Sequence, residues 1–133
     1  MKKGYKNNIE KITLENVNFR QVLYTAEHCQ LVAMSLKPSE EIGSEVHVDG
    51  DQFFRFEKGE GKVVINETKY AVGDGDAVIV PAGAQHNVIN TSTTEDLKLY
   101  TIYAPPHHQD GVMRATKAEA EANGPEFDGK TTE

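Results

Sequence analysis

Side chains that could hold a metal ion gather at two places in this sequence. Glu45 and His47 stand two residues apart, Gln52 follows a few residues later, and His86 comes just after the run Pro-Ala-Gly-Ala-Gln. Alternate side chains of a β-strand share a face, so Glu45 and His47 should point to the same side. A hairpin through residues 48–51 would bring Gln52 back alongside His47. Four nitrogen and oxygen donors that converge on one point suit a divalent cation.

The elements that must position these donors are short β-strands. Between residues 19 and 103 the chain is a series of brief β-forming runs, each ended by Gly, Pro, Asn or Asp, with almost no helical periodicity. The predicted strands cover residues 19–24, 29–36, 42–48, 52–57, 62–65, 69–72, 77–80, 86–90 and 97–103. Short strands at this spacing predict an all-β fold, a single small antiparallel β-barrel or jelly roll.

Apolar residues on the same faces as the donors predict a cavity lining. Phe54 and Phe56 have the strand parity of Gln52, and Val88 has that of His86. These three apolar side chains should line the interior around the donors. For Phe54 and Phe56, a place in the hydrophobic core is the alternative to contact with a ligand.

The two ends of the chain differ from the middle. We predict that residues 1–18 are either disordered or form an edge or exchanged strand, and that residues 19–104 form the barrel. Residues 105–133 should contain a short exposed helix over 116–122, where good helix formers are concentrated, and then a disordered tail.

Composition narrows the classes of partner. The chain has 133 residues with 14 Lys and Arg against 21 Asp and Glu, a net charge of −7, which argues against binding to nucleic acid. No stretch approaches the roughly 18 apolar residues of a membrane helix, and the start lacks the apolar run of a signal peptide. The single Cys29 excludes an intrachain disulfide. We therefore expect a cytoplasmic protein whose partner is a small-molecule ligand or substrate.

A second set of residues carries a resemblance to a known family. Gly75, Pro81, Gly83, His86 and Asn90 have the spacing Gly-x5-Pro-x-Gly-x2-His-x3-Asn, which resembles the second motif of the cupin superfamily at every position. The resemblance implies a cupin-like barrel in which His86 is a metal ligand.

The first cupin motif, Gly-x5-His-x-His-x3–4-Glu-x6-Gly, can be aligned in two registers. If His47 is its first His, the second falls on Asp49 and the Glu falls on a phenylalanine, which cannot bind a metal. If His47 is its second His, the first falls on Glu45 and the Glu on Gln52, so each ligand position keeps a donor atom. We adopt the second register because it also fits the strand parity.

This ligand set implies a divalent transition metal. Two His and one carboxylate resemble the set of non-haem Fe(II) oxygenases, so iron or manganese is favoured, with nickel or zinc as alternatives. Whether Gln52 binds the ion or instead orients another ligand stays open. Cupins commonly form dimers, so the resemblance also implies a homodimer.

The resemblance and the donors together predict a metal-dependent enzyme of the oxygenase type, acting on a small organic molecule inside the barrel. A non-catalytic binding or sensor protein is the alternative. A sugar-phosphate isomerase ranks lower because only three arginines, Arg20, Arg55 and Arg114, could recognise a phosphate.

Two further histidines are candidates for an acid–base role. His107 and His108 follow a Pro-Pro pair directly after the last predicted strand. They could close over the mouth of the barrel and transfer protons, because His titrates near neutrality. The alternative is a solvated pair with no part in the chemistry.

Overall fold

The computed structural model describes residues 1–133 and contains ten strands and two helices. The strands are Arg20–Thr25 (β1), Gln30–Leu36 (β2), Glu45–Val46 (β3), Asp51–Lys58 (β4), Glu60–Ile65 (β5), Thr68–Gly73 (β6), Ala77–Val80 (β7), Gln85–Asn90 (β8), Leu97–Ala104 (β9) and Met113–Arg114 (β10). The helices are Ile9–Glu15 (α1) and Lys117–Ala122 (α2). Neither helix is long and apolar enough to cross a membrane.

The strands form two antiparallel sheets. One sheet has six strands in the order β10-β1-β2-β9-β4-β7, and the other has four in the order β3-β8-β5-β6. Apart from the hairpins β1-β2 and β5-β6, neighbours in each sheet are not consecutive in the sequence, as in a jelly roll. The predicted all-β jelly roll is therefore confirmed, as two facing sheets that do not close into a continuous barrel.

The core lies between the two sheets. Alternate residues of β2, β4, β8 and β9 point inwards, which is the parity expected from the sequence. Phe54, Phe56 and Val88 are all buried in this core. Phe54 and Val88 border the small cavity that also contains Glu45 and His86, whereas Phe56 is not part of that lining.

The N-terminal segment is not the predicted edge or exchanged strand over residues 9–15, because these form α1. Asn8 caps the helix by accepting a hydrogen bond from the backbone N–H of Lys11 at 3.0 Å. Ile12 and Thr13 follow Ile9 by three and four residues, and all three side chains turn towards the protein. The helix packs on the outer face of the six-stranded sheet.

The C-terminal segment also departs from the prediction. The short helix is present as α2, with Thr116 as its N-cap, but the tail predicted to be disordered lies against the sheets. Phe127 N–H donates to the carbonyl of His107 at 3.0 Å, and Thr132 N–H donates to the carbonyl of Thr25 at 2.9 Å. Backbone pairing, which composition does not reveal, fixes this segment beside the end of β9.

Candidate metal centre

Three of the four predicted metal ligands come together at one end of the sheets. Strands β3 and β8 pair so that Glu45 stands directly opposite His86, and His47 follows β3 by one residue. One potential ligand atom from each of Glu45, His47 and His86 lies within 4.8 Å of the other two. This Glu/His/His cluster could bind a metal ion.

The spacing between Glu45 and His47 fits a shared ion. Oε2 of Glu45 lies 3.2 Å from Nε2 of His47. Two donors bound at about 2.0–2.2 Å to one ion are separated by about 3.0–3.5 Å at octahedral or tetrahedral angles. The imidazole is not aligned for a hydrogen bond to the carboxylate. Nε2 of His47 is buried from solvent and therefore has no hydrogen-bond partner.

Backbone interactions around His86 leave one of its ring nitrogens free. Nδ1 of this buried side chain lies 3.2 Å from the carbonyl oxygen of Ala84. Because a carbonyl can only accept, Nδ1 carries the hydrogen, and Nε2 keeps the lone pair that a metal would use. Burial lowers the pKa of His86, which favours the neutral ring that metal binding needs.

A hydrogen bond from the second motif also links the turn before β8 to the segment that carries Glu45 and His47. Gly83 has a φ of +85°, a conformation that favours glycine, and its N–H donates to the carbonyl of His47 at 2.9 Å. The glycine therefore links the two halves of the cluster, a role beyond the turn that its position in the sequence predicts.

Gln52, the fourth predicted ligand, faces the same cavity from the opposite sheet. Its Nε2 donates to Oγ1 of Thr101 at 2.9 Å, and this hydrogen bond fixes the orientation of the amide and so of Oε1. Oε1 is buried and has no hydrogen-bond partner. Glu45, His86 and Gln52 line one narrow cavity, so this orphaned oxygen suits either an ion or a water molecule bound to it.

The electrostatics of Glu45 favour its charged form. Burial alone would raise the pKa of this carboxyl group, but contact with the neighbouring His47 and the more distant charge of Arg20 act against burial, and the pKa is lowered. An ionised carboxylate beside two imidazoles is the donor set of the 2-His-1-carboxylate sites.

The predicted candidates His107 and His108 are not a solvated pair. Their rings pack on Tyr103 at centroid distances of 5.2 and 5.1 Å, and His107 also lies 4.5 Å from His47. Nε2 of His108 is 3.3 Å from the hydroxyl of Tyr103. These rings form the wall of the cluster, and the proton-transfer role of His107 and His108 stays a prediction.

Burial keeps this wall uncharged. It lowers the pKa of His108 to about 2, with the charge of Arg20 adding to the effect, and it also lowers the pKa of His107. Burial, reinforced by the charge of Glu45, raises the pKa of Tyr103. At neutral pH the wall therefore consists of neutral imidazoles and a protonated phenol, and His108 is too weak a base to accept a proton.

A buried amide that the sequence analysis did not single out holds the two histidines in place. Gln30 is fully buried, and its Oε1 accepts from the backbone N–H groups of His107 at 3.2 Å and His108 at 3.0 Å. Its Nε2 donates to the carbonyl of His108 at 2.7 Å and to Oγ1 of Thr25 at 2.9 Å. Its position in a predicted strand, two residues before Val32, was the one available signal that its side chain faces inwards.

The larger cavities around the Glu/His/His cluster lie at the mouth of the jelly roll, outside the core between the two sheets. The cavity between Gln52, Phe54 and Tyr103 is too tight for an organic molecule. Two larger cavities open outside it, one of about 210 Å³ beside Glu45 and α2, and one of about 250 Å³ between His47 and the Pro-Pro segment. The space that could hold an organic molecule therefore lies at the mouth, and not inside the barrel as expected from the sequence.

Comparison with known proteins gives consistent results. The family model for the cupin domain matches residues 32–103. The uncharacterized protein YrkC of Bacillus subtilis is 47% identical over 121 residues, which cover 86% of this chain and 64% of that protein. The chain thus spans slightly less than two thirds of the length of this relative.

Solved structures share the fold. The crystal structure of BH2720 from Bacillus halodurans superimposes with a TM-score of 0.88 at 42% identity, covering 91% of this chain and 96% of that one. The cupin domain of Cnp3 from Schizosaccharomyces pombe has a TM-score of 0.62 at 20% identity, covering 65% of this chain and 59% of that one, and shows the fold alone. The two-sheet architecture, the second motif and the match over residues 32–103 lead to one conclusion: this chain belongs to the cupin family.

Proposed function

We propose that this protein binds one divalent transition metal per chain and uses it in an oxygenase-type reaction on a small organic molecule. The observation that carries the proposal is the placement of donor atoms from Glu45, His47 and His86 within 4.8 Å of one another. Iron or manganese is the proposed metal, with nickel and zinc as alternatives that accept the same donors.

The residues around the donors suit this role. A bound iron or manganese ion would supply Lewis acidity and a redox couple for dioxygen. Glu45, His47 and His86 would occupy three coordination positions, and Gln52 would either bind as a fourth ligand or hold a water molecule. Neutral Tyr103 would help to exclude bulk water, because its ring seals the inner side of the cluster.

Metal loading tests the proposal. Metal-free protein is incubated in turn with Fe(II), Mn(II), Ni(II) and Zn(II), and the metal content is measured by mass spectrometry after gel filtration. We expect about one ion per chain in the wild type and none in the double variant His47→Ala/His86→Ala. The exposed His28 provides the matched control, and His28→Ala should keep the ion. A wild type that binds no metal under any of these conditions would refute the proposal.

Oxygen uptake tests the reaction class. The Fe(II)-loaded protein should consume dioxygen in the presence of at least one compound in a panel of small organic acids, phenols and diketones, and the double variant should not. Product formation without oxygen uptake would contradict the oxygenase assignment while leaving a metal-dependent enzyme in place.

A non-catalytic binding or sensor role is the second candidate. It is supported by the low basicity of His108, because burial leaves no strong base in that part of the wall. Ligand-induced thermal stabilisation of the metal-loaded protein without any product would favour this candidate.

A sugar-phosphate isomerase is supported less well than either candidate. Of the three arginines, Arg55 is ion-paired with Glu57 at 3.2 Å, and Arg114 donates to the carbonyls of Asn123 and Met113. Only Arg20 lines a cavity at the mouth. Turnover of a hexose 6-phosphate would reverse this ranking.

We also propose a homodimer, as the family resemblance implies. Tyr70 and Ile79 support it, because they are 48% and 67% exposed and line one apolar groove on β6 and β7. Light scattering after gel filtration should give twice the chain mass, and a monomer at high concentration would contradict it.

A further inference from the structure

One buried cation near the candidate metal centre has no partner. Arg20 is 8% exposed, and its Nε is sealed from solvent without a hydrogen-bond acceptor. The ion pairs of this protein involve other residues, so no carboxylate oxygen lies within 4 Å of the Arg20 guanidinium. An arginine keeps its charge in proteins, and an unpaired buried charge is costly.

The fold directs this side chain towards the interior. Arg20 begins β1 and has the same strand parity as the core residue Val22. Its cross-strand neighbour Met34 is also in the core. The guanidinium carbon lies 5.3 Å from the ring centroid of Phe19, which holds the group at one edge of the core.

Arg20 and Glu45 line the same cavity. This cavity has a volume of about 210 Å³, and α2 forms part of its wall. His107 and His108 form another part of its wall. A molecule in this cavity therefore has the candidate metal centre at one end and the unpaired guanidinium within reach.

The other charges in the cavity oppose a multiply charged anion. Lys117 is 3.7 Å from Glu121, so these two charges largely offset each other. Glu126 also lines the cavity and opposes a highly charged anion such as phosphate. A carboxylate matches the planar fork of a guanidinium and carries a single charge.

We propose that Arg20 binds the carboxylate of a small organic ligand whose other end reaches the metal position beside Glu45. The inference rests on the proposed function for the metal end of the ligand, and on Arg20 alone for the carboxylate end. It makes Arg20 a specificity-determining residue and names the substrate class as small carboxylic acids.

Nuclear magnetic resonance of the arginine Nε–Hε groups tests this directly, because the chain has only three arginines. The probes are propanoate and its neutral analogue propanamide. One arm uses the zinc-loaded wild type. The other uses metal-free Glu45→Gln, in which the repulsive carboxylate is removed without a metal.

In both arms we expect propanoate to shift the Arg20 signal saturably and to leave the signals of Arg55 and Arg114 in place. Propanamide should cause no such shift. Arg20→Met should weaken propanoate binding by at least about tenfold, the loss of one charge-assisted contact, and Arg20→Lys should restore part of it. Arg114→Met is the matched control, because Arg114 is the cross-strand partner of Arg20 but does not line the cavity.

Several results would overturn the inference. These are an absent shift in both arms, equal shifts with propanoate and propanamide, or a folded Arg20→Met that binds propanoate as tightly as the parent. Tighter binding of inorganic phosphate than of propanoate would refute the carboxylate class. If Arg20→Met does not fold, the wild-type and Glu45→Gln spectra decide the question.

The two arms separate this inference from the proposed function. If the wild type takes up neither zinc nor any of the other three metals, but propanoate shifts the Arg20 signal in Glu45→Gln, the metal proposal fails and the carboxylate site stands. If zinc binds and neither arm shows the shift, the carboxylate site fails and the metal proposal stands.

Discussion

Replacing Gln30 by Leu removes the amide that holds the wall of the candidate metal centre. This side chain accepts two hydrogen bonds from the backbone N–H groups of His107 and His108 and donates one to the carbonyl of His108. It also donates to Oγ1 of Thr25. Leu has a similar size but no polar atoms, so Gln30→Leu leaves these groups without partners at a buried position.

The magnitude follows from the number of bonds lost. Each buried backbone group left without a partner costs about 1–3 kcal/mol, and burial of the Leu side chain offsets part of this. We expect the free energy of unfolding to fall by about 3 kcal/mol. At about 3–5 °C per kcal/mol for a chain of this size, the melting temperature should fall by about 10 °C.

Urea unfolding followed by circular dichroism measures this loss. Gln109→Leu is the matched control, because Gln109 is exposed and makes one long side-chain hydrogen bond of 3.3 Å to Asp128. The control should change the unfolding free energy by less than about 0.5 kcal/mol. A loss below about 1 kcal/mol for Gln30→Leu would refute the reasoning, because the histidine backbone would then have found other partners.

Further predictions concern the support of the ligands, the buried histidine and the packing of the sheets. Thr101→Val removes the hydroxyl that accepts a hydrogen bond from Gln52, so zinc affinity measured by calorimetry should fall about tenfold. An unchanged affinity would show that this hydrogen bond does not support metal binding. Since burial lowers the pKa of His108 to about 2, the unfolded chain binds a proton that the folded chain does not, and stability should fall as the pH drops below about 6.5. Between pH 7 and 5 His108 contributes about 2 kcal/mol to this loss. In urea titrations His108→Gln should reduce the pH dependence of stability by that amount, whereas the exposed His28→Gln should not, and an equal pH dependence in all three proteins would contradict the prediction. In Gly61→Ala the new Cβ would lie 2.7 Å from a carbonyl oxygen of β8, so a stability loss of about 2 kcal/mol is expected, and a neutral effect in thermal unfolding would show that the strands can separate.

The strand parity of Glu45 and His47 was predictable because it depends only on local spacing. Two residues in one short extended segment point the same way whatever the rest of the fold does. The turn before His86 was predictable for a similar reason, since Gly83 and Pro81 restrict the backbone locally. Spacing alone could not give the separations between donors, because Glu45 and His86 meet only through the pairing of β3 with β8.

Residues whose role depends on strand register were beyond local reasoning. Tyr103 faces the candidate centre because β9 pairs with β4 so that Tyr103 stands opposite Gln52. A shift of one residue would turn Tyr103 outwards. Arg20 was considered only as a candidate phosphate ligand, because nothing in its local sequence shows that it is buried and unpaired.

The chain ends were predicted least well. Polar composition indicated disorder for residues 123–133, yet backbone hydrogen bonds to Thr25 and His107 hold this segment against the sheets. Composition describes side chains, whereas these bonds use main-chain groups that every residue except proline offers in full. Similarly, the half-buried face of α1 is only one turn long and gives a weak periodic signal.

Crystallography with anomalous scattering at the absorption edge of the bound metal tests the central claim most directly. Crystals of metal-loaded protein should give one strong anomalous peak at about 2.0–2.3 Å from the carboxylate of Glu45 and from one ring nitrogen each of His47 and His86. In the same experiment Oε1 of Gln52 should face the peak, directly or through one water molecule. A fully loaded protein whose anomalous peak lies elsewhere, or one in which Glu45 and His47 keep their metal-free contact, would contradict the account.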